Sequence, residues 1–199
     1  ESSKKNLRTN LPVSTAQVEI IAYGRSRGFL LNSAQKMNRE QERIKRGILQ
    51  DDILFLCIGR FEKIKGIMEL FNAFLEVAEK NLKIHLIIVG GPSPQNKEAL
   101  EYSKKIATKY ESLPESLKQR IVFPGFLTDL VPLYVACDAY VLPSYQECMS
   151  LAMLDALILG RPILGTSEGG TPSVAIPGKT GLLFNAKDVS SLQQCIEDF

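Results

Sequence analysis

A chain of 199 residues with 45% hydrophobic and 23% charged side chains has the makeup of an ordinary folded domain, large enough for one well-buried core. A formal charge of +2 supplies no general attraction for nucleic acid, and no apolar run reaches the roughly 18 residues of a membrane span, so a soluble, cytoplasmic chain is expected. Four cysteines, Cys57, Cys137, Cys148 and Cys195, form no Cys-x-x-Cys pair and have only His85 for a companion, which argues for reduced thiols over a zinc site or a disulfide framework.

In chain order, residues 1–16 read as a linker or the remnant of a preceding domain, and residues 17–199 as one domain. The start lacks an initiator Met and the end stops inside a helical pattern, so a piece of a longer protein is expected. Strands are predicted over Val18–Ala22, Ile53–Gly59, Ile84–Gly90, Ile121–Pro124, Ala139–Leu142 and Pro162–Gly165, with Gly181–Phe184 as an edge candidate. Helices are expected over Ala34–Leu49, from Gly66, and over Asn96–Ser112, Leu130–Cys137, Met149–Leu159 and Val189–Asp198. Most strands are apolar on both faces, and strands alternate with amphipathic helices. That pattern predicts an α/β fold, a doubly wound, right-handed parallel sheet of the Rossmann-like kind, with ligands at the carboxyl ends of the strands. The first helix carries Lys36, Arg39, Arg43, Lys45 and Arg46 against Glu40 and Glu42. Such a face can meet an anionic membrane surface or a lipid pyrophosphate, but a solvated helix face is the preferred reading.

Two segments carry chemistry. Gly59-Arg60-Phe61-Glu62-Lys63-Ile64-Lys65-Gly66 follows a strand and opens a helix, so Gly59 and Gly66 shape a turn that holds Arg60 and Lys65 over the carboxyl edge. Two cations there suit a diphosphate, with the helix N-terminus adding partial positive charge; incidental surface charges on a βα loop are the equal alternative. The Gly-x-x-x-x-Gly-Lys-Ser/Thr order of a P-loop is absent. In the second segment, Pro143 to Gly170, Glu147 precedes a helix and Asp155 lies about two turns into it, so both carboxylates can face a ligand at the helix mouth. Each has a plain alternative: Glu147 as a helix cap, Asp155 as a buried cap or ion pair. Cys148 reads as a small, buried, inert thiol and His85 as structural. Asp51-Asp52 lacks the spacing of a metal motif, and no bound metal or cofactor is expected.

Six pieces in register then form a recognisable pattern: Gly59-Arg60-Phe61 with Lys65-Gly66, Phe123-Pro124-Gly125-Phe126, Pro143-Ser144 with Glu147 and an acid eight positions on, Gly160-Arg161-Pro162, Gly169-Gly170, and Thr180-Gly181-Leu182-Leu183. The chain resembles the C-terminal, donor-binding domain of retaining glycosyltransferases of family 4, with the GT-B architecture, from about Val18 to the end. The resemblance implies that Arg60 and Lys65 bind the nucleotide diphosphate of a UDP- or GDP-sugar and stabilise its charge as the sugar departs, with Gly59 at the turn. It implies that Glu147 accepts hydrogen bonds from the donor sugar and that backbone amides of Cys148, Met149, Ser150 and Leu151 face sugar and phosphate. Asp155 matches the acid that holds the ribose hydroxyls, and Gly125, Phe126 and Leu127 would lie against the base. The full-length protein would then transfer a glycosyl group with retention, in capsule, lipopolysaccharide or exopolysaccharide synthesis, and a fragment without the N-terminal acceptor domain would bind donor but transfer little. A lipid-linked acceptor at the membrane surface fits the same picture.

The chain departs from the family pattern in having Asp155 where glutamate is usual, shorter by about 1.5 Å, and Cys148-Met149-Ser150 in place of Gly-Phe-Gly or Gly-Phe-Pro. Pro172-Ser173 stands where Pro-Glu is common, and Ile21–Phe29 departs from Pro-Asn-Gly-Val-Asp. Two other functions remain open: another GT-B enzyme such as a sugar-nucleotide epimerase, and a non-catalytic nucleotide-sugar-binding module.

Overall fold

The computed structural model describes residues 25–199; the linker expected at residues 1–16 and the strand expected at Val18–Ala22 lie outside the described residues. In chain order the elements are α1 (Arg27–Gln35), α2 (Arg39–Ile44), β1 (Ile53–Ile58), α3 (Ile67–Ala78), β2 (Ile84–Val89), α4 (Lys97–Glu111), α5 (Glu115–Lys118), β3 (Ile121–Gly125), α6 (Val131–Ala136), β4 (Ala139–Leu142), α7 (Leu151–Ile158), β5 (Ile163–Thr166), β6 (Gly181–Phe184) and α8 (Val189–Glu197).

The six strands form one all-parallel sheet in the order β3-β2-β1-β4-β5-β6. Strands such as Ile-Leu-Phe-Leu-Cys-Ile and Ile-His-Leu-Ile-Ile-Val can satisfy their side chains only with a layer on each face. One layer packs Phe55, Cys57, Leu86 and Ile88 against Phe71 and Phe74 of α3 and Leu192 of α8. The other packs Leu54, Leu56, Ile87 and Val89 against Tyr134 of α6 and Met153 and Ala156 of α7. The α3 stripe of Ile67, Leu70, Phe71, Phe74 and Ala78 is wholly buried, and each large member contributes about 1.5–3 kcal/mol. The edge assignment for Gly181–Phe184 is correct, and the predicted strands shift by at most about one residue at their ends.

The expected helix Ala34–Leu49 is two helices. The chain leaves α1 at Lys36 and re-enters at Asn38, whose side chain accepts the amide of Gln41 at 3.0 Å as an N-cap. The break lets Arg43 turn inward, where it donates to the carbonyls of Leu49 and Asp52, each at 2.7 Å, to that of Ala136 at 3.1 Å and to Asp138 Oδ2 at 2.8 Å. Arg39 also pairs with Asp138, while Lys45 and Arg46 reach Glu42 at 2.6 and 2.8 Å. The basic stretch is therefore largely neutralised by acids of the fold, so neither expected reading holds for Arg43, which is a buried anchor. Among the described residues no helix is long and apolar enough to cross a membrane.

Candidate functional site

Chain order along the sheet reverses between β1 and β4: β2 and β3 continue outward on one side, β5 and β6 on the other. Loops leaving the carboxyl ends of β1 and β4 therefore diverge around a crevice, the place where open parallel sheets take ligands. The two chemistry-bearing segments are those loops.

Backbone contacts lock the loops together. After β1 the chain makes a 3-10 turn over Lys63–Lys65 and reaches Gly66 in the left-handed region, φ 64°. A Cβ on Gly66 would stand 2.1 Å from the carbonyl oxygen of Pro143, so only glycine allows this approach. The Tyr145 amide donates to the Ile64 carbonyl at 2.9 Å, and Thr166 Oγ1 donates to the Ser144 carbonyl at 2.8 Å. From the far side, the Gly170 amide donates to the Glu147 carbonyl at 2.8 Å, in a contact so close that a Cβ would meet Cys148 O at 1.8 Å.

This scaffold brings Lys65 and Glu147 together: Nζ donates to Oε2 at 2.7 Å, with the side chains 23% and 19% exposed. Around them lies a small cleft of about 30 Å³ lined also by Cys57, Gly59, Ser144 and Ser150. Ser150 caps α7 by accepting the Met153 amide at 3.3 Å, which places the positive end of an apolar helix next to the Glu147 loop. Burial pushes the Cys57 thiol up to about 12, against the opposing pull of Lys65, so Cys57 stays protonated behind the site.

The remaining expected site residues lie around this centre. Arg60 is 60% exposed at the side chain and pairs with Glu62 on its own loop at 3.2 Å, so it stands at the crevice edge without joining the Lys65 pair. Gly59 has room for a Cβ, and the tight turn falls at Gly66 instead. Gly125 ends β3 with φ 76°, and Phe126 and Leu127 after it are exposed, with the Phe126 ring lying against Gly91. Leu151 opens α7, so the helix starts two residues later than expected and Met149 belongs to the loop. Cys148 is exposed, contrary to the buried thiol expected, because the loop carrying it bulges out to reach Gly169 and Gly170.

Asp155 lies just over one turn into α7, not two, and is 6% exposed. Arg25 grips it with both arms of the guanidinium: Nε donates to Oδ1 at 2.6 Å and Nη2 to Oδ2 at 2.9 Å. That hydrogen bond and the carboxylate's charge raise the Arg25 pKa further. Both residues line a cleft of about 440 Å³ with Phe29, Lys36, Asp129 and Tyr134. A larger cleft of about 600 Å³ runs along the outer side of the β1–α3 loop and is lined by neither Lys65 nor Glu147.

Sequence reasoning missed Arg25 and Tyr145. Tyr145 Oη donates to Glu69 Oε1 at 2.6 Å and its ring carries Lys187 Nζ 5.1 Å from the centroid, so it ties the first turn of α3 to the turn after β6. Its place two residues before Glu147 was the available signal. Arg25 offered none, standing 130 positions from its partner.

The family model described as "Glycosyl transferases group 1" matches residues 52–199. The chain is 28% identical over 187 residues to a D-inositol 3-phosphate glycosyltransferase of Corynebacterium diphtheriae, covering 91% of the chain and 43% of that protein. It is 23% identical to the capsular polysaccharide biosynthesis glycosyltransferase CapM of Staphylococcus aureus, covering 99% of the chain and 50% of the relative. Among solved structures, HepE of Anabaena, in complex with UDP and glucose, superposes with a TM-score of 0.81 over 99% of this chain and 50% of its own, at 20% identity, a likeness of fold. The chain thus spans half or less of the length of these relatives.

Proposed function

The chain belongs to the glycosyl transferases group 1 family, and from that premise we propose that it is the donor-binding half of a retaining glycosyltransferase that uses a UDP- or GDP-sugar. The observation that carries this reading is the Lys65–Glu147 pair, held at 2.7 Å between interlocked loops at the carboxyl ends of β1 and β4. One partner supplies a cation for a diphosphate, the other a carboxylate for sugar hydroxyls, and both are partly open to a ligand.

In the proposed complex Lys65 and Arg60 take the diphosphate, and the amides at the start of α7 face sugar and phosphate. Glu147 accepts from the donor sugar, Asp155 from the ribose, and the Gly125-Phe126-Leu127 loop lies against the base. The bond from the anomeric carbon to the diphosphate oxygen breaks with its electron pair on that oxygen. An acceptor hydroxyl attacks the same face, and its proton passes to the departing diphosphate. Lys65 and Arg60 act where negative charge grows, which is where fixed cations lower a barrier most.

The acceptor-binding half belongs, on this reading, to the length of the relatives that the chain does not span. The relatives named as a capsular polysaccharide biosynthesis glycosyltransferase and a D-inositol 3-phosphate glycosyltransferase, and the fold neighbour holding UDP and glucose, support polysaccharide or glycoconjugate synthesis from a nucleotide sugar. Titration calorimetry of the chain with UDP and GDP tests the donor site. Heat from neither nucleotide, with the folded far-UV dichroism intact, removes the assignment.

A further inference from the structure

The Arg25–Asp155 pair occupies the carboxylate that the proposed function assigns to the ribose. Both oxygens of Asp155 are engaged, by Nε at 2.6 Å and Nη2 at 2.9 Å, in the parallel fork that a guanidinium makes with one edge of a carboxylate. A vicinal diol presents two O–H donors side by side and uses a carboxylate in the same way, so the guanidinium and the ribose compete for one edge. Asp155 is 6% exposed with Arg25 in place, whereas the Arg25 side chain is 42% exposed and borders a cleft of about 440 Å³ into which it has room to withdraw.

We propose that Arg25 is an internal competitor for the nucleotide ribose, holding Asp155 as a diol surrogate in the empty site and being displaced when a ribonucleotide binds. The proposal rests on the assignment of Asp155 to the ribose hydroxyls. Its physical logic is that a carboxylate this buried needs a partner at all times, and Arg25 supplies one when no ligand does. The cost of displacing a bidentate pair is subtracted from the affinity of every ligand that uses the diol. A ligand without the diol leaves the pair closed and is not taxed.

The position of Arg25 gives the exchange a mechanical reach. It stands directly before Ser26, the N-cap of α1, and α1 packs through Leu30 on Val131 and Val135 of α6. Opening the pair therefore removes one link between the entry of α1 and α7, while Leu30 keeps α1 packed beside Ile158.

Calorimetry with UDP or GDP, whichever binds, and with its 2′,3′-dideoxy counterpart tests this in the wild type, Arg25→Gln, Arg25→Lys and Asp155→Asn. Arg25→Gln should tighten the ribonucleotide roughly three- to tenfold, the range of a partly exposed bidentate pair, and leave the dideoxy analogue within about twofold. Arg25→Lys, which keeps the charge and loses the fork, should fall between and serves if Arg25→Gln proves unstable. Unchanged or weaker ribonucleotide binding by both variants overturns the proposal. If Asp155→Asn binds the ribonucleotide and its dideoxy analogue with the same ratio as the wild type does, the ribose assignment itself fails and takes the proposal with it. A folded wild type that binds neither nucleotide removes the donor-site assignment, and the proposal with it.

Discussion

Lys65 and Glu147 stand 82 positions apart in sequence and 2.7 Å apart in space, each on a loop that the other's loop holds still. A cation and a carboxylate this close satisfy one another in the empty site, and either can turn to a ligand without leaving its neighbour unpaired. Lys65→Met is expected to weaken nucleoside diphosphate binding by about 10- to 100-fold, as loss of one charged hydrogen bond implies, and to leave uridine or guanosine binding unchanged. Calorimetry with both ligands separates these outcomes, and equal losses for the two would contradict a phosphate role.

The same pair should couple in stability. With both side chains about four-fifths buried, the interaction energy of Lys65→Met and Glu147→Gln in a urea-denaturation double-mutant cycle is expected near 1 kcal/mol. Strict additivity would mean the two groups meet without stabilising the fold.

Two glycines hold the loops in register and one does not. Gly66→Ala and Gly170→Ala each drive a Cβ into a backbone carbonyl, at 2.1 and 1.8 Å, and should each cost about 2–3 kcal/mol. Gly28→Ala, inside α1 with nothing within 4 Å of the added carbon, should instead stabilise by about 0.5–1 kcal/mol. Thermal denaturation of the three variants reads the contrast.

The four thiols divide by exposure. Burial pushes Cys57, Cys137 and Cys195 up to about 12, while Cys148 lies exposed beside Glu147. Alkylation of the folded chain near pH 8 should label Cys148 alone, and all four after denaturation. On the proposed function a bound sugar nucleotide slows that labelling, and intact-mass measurement follows both effects.

His85 accepts or donates at 3.0 Å to Asp52 but burial, outweighing that carboxylate, holds its pKa below the ordinary 6.5. The unfolded chain therefore takes up the proton more readily than the folded one. Stability is fully present above the unfolded value and is lost as pH falls below it through the lower folded value. Between about pH 7.5 and 5.5 the melting temperature should fall more steeply for the wild type than for His85→Gln. Parallel profiles would show that His85 carries none of the dependence.

The sheet was legible because most of its strands are apolar on both faces, a pattern that β1, β2, β4 and β5 bury on both sides while β3 leaves Val122 exposed. The helix around Lys36 to Asn38 was not, since Lys, Arg, Gln and Glu on either side are all good helix formers and only Asn38, as a cap, marks the break. The meeting of the Lys65 and Glu147 loops could be anticipated because each follows a strand and carries the glycines and prolines that announce a turn. The Arg25 partner of Asp155 could not, because an ion pair spanning 130 positions leaves no periodicity to read. Cys148 shows the opposite failure: the usual burial of a free thiol predicts it badly, because loop geometry overrides residue type.

The neighbour of β1 on the far side is β4, and the amide of Leu54 donates to Asp138 across 84 positions of chain. A ribosome delivers Lys65 long before it delivers Glu147. Through that interval β1, β2 and β3 can pair, yet half of the cradle has not been made, and a chain truncated before Pro143 keeps Lys65 without its Glu147 partner. On the proposed function, affinity for the donor thus arrives all at once, with the seam between the two halves, and any event that parts β1 from β4 ends it while most of the helices are still in place.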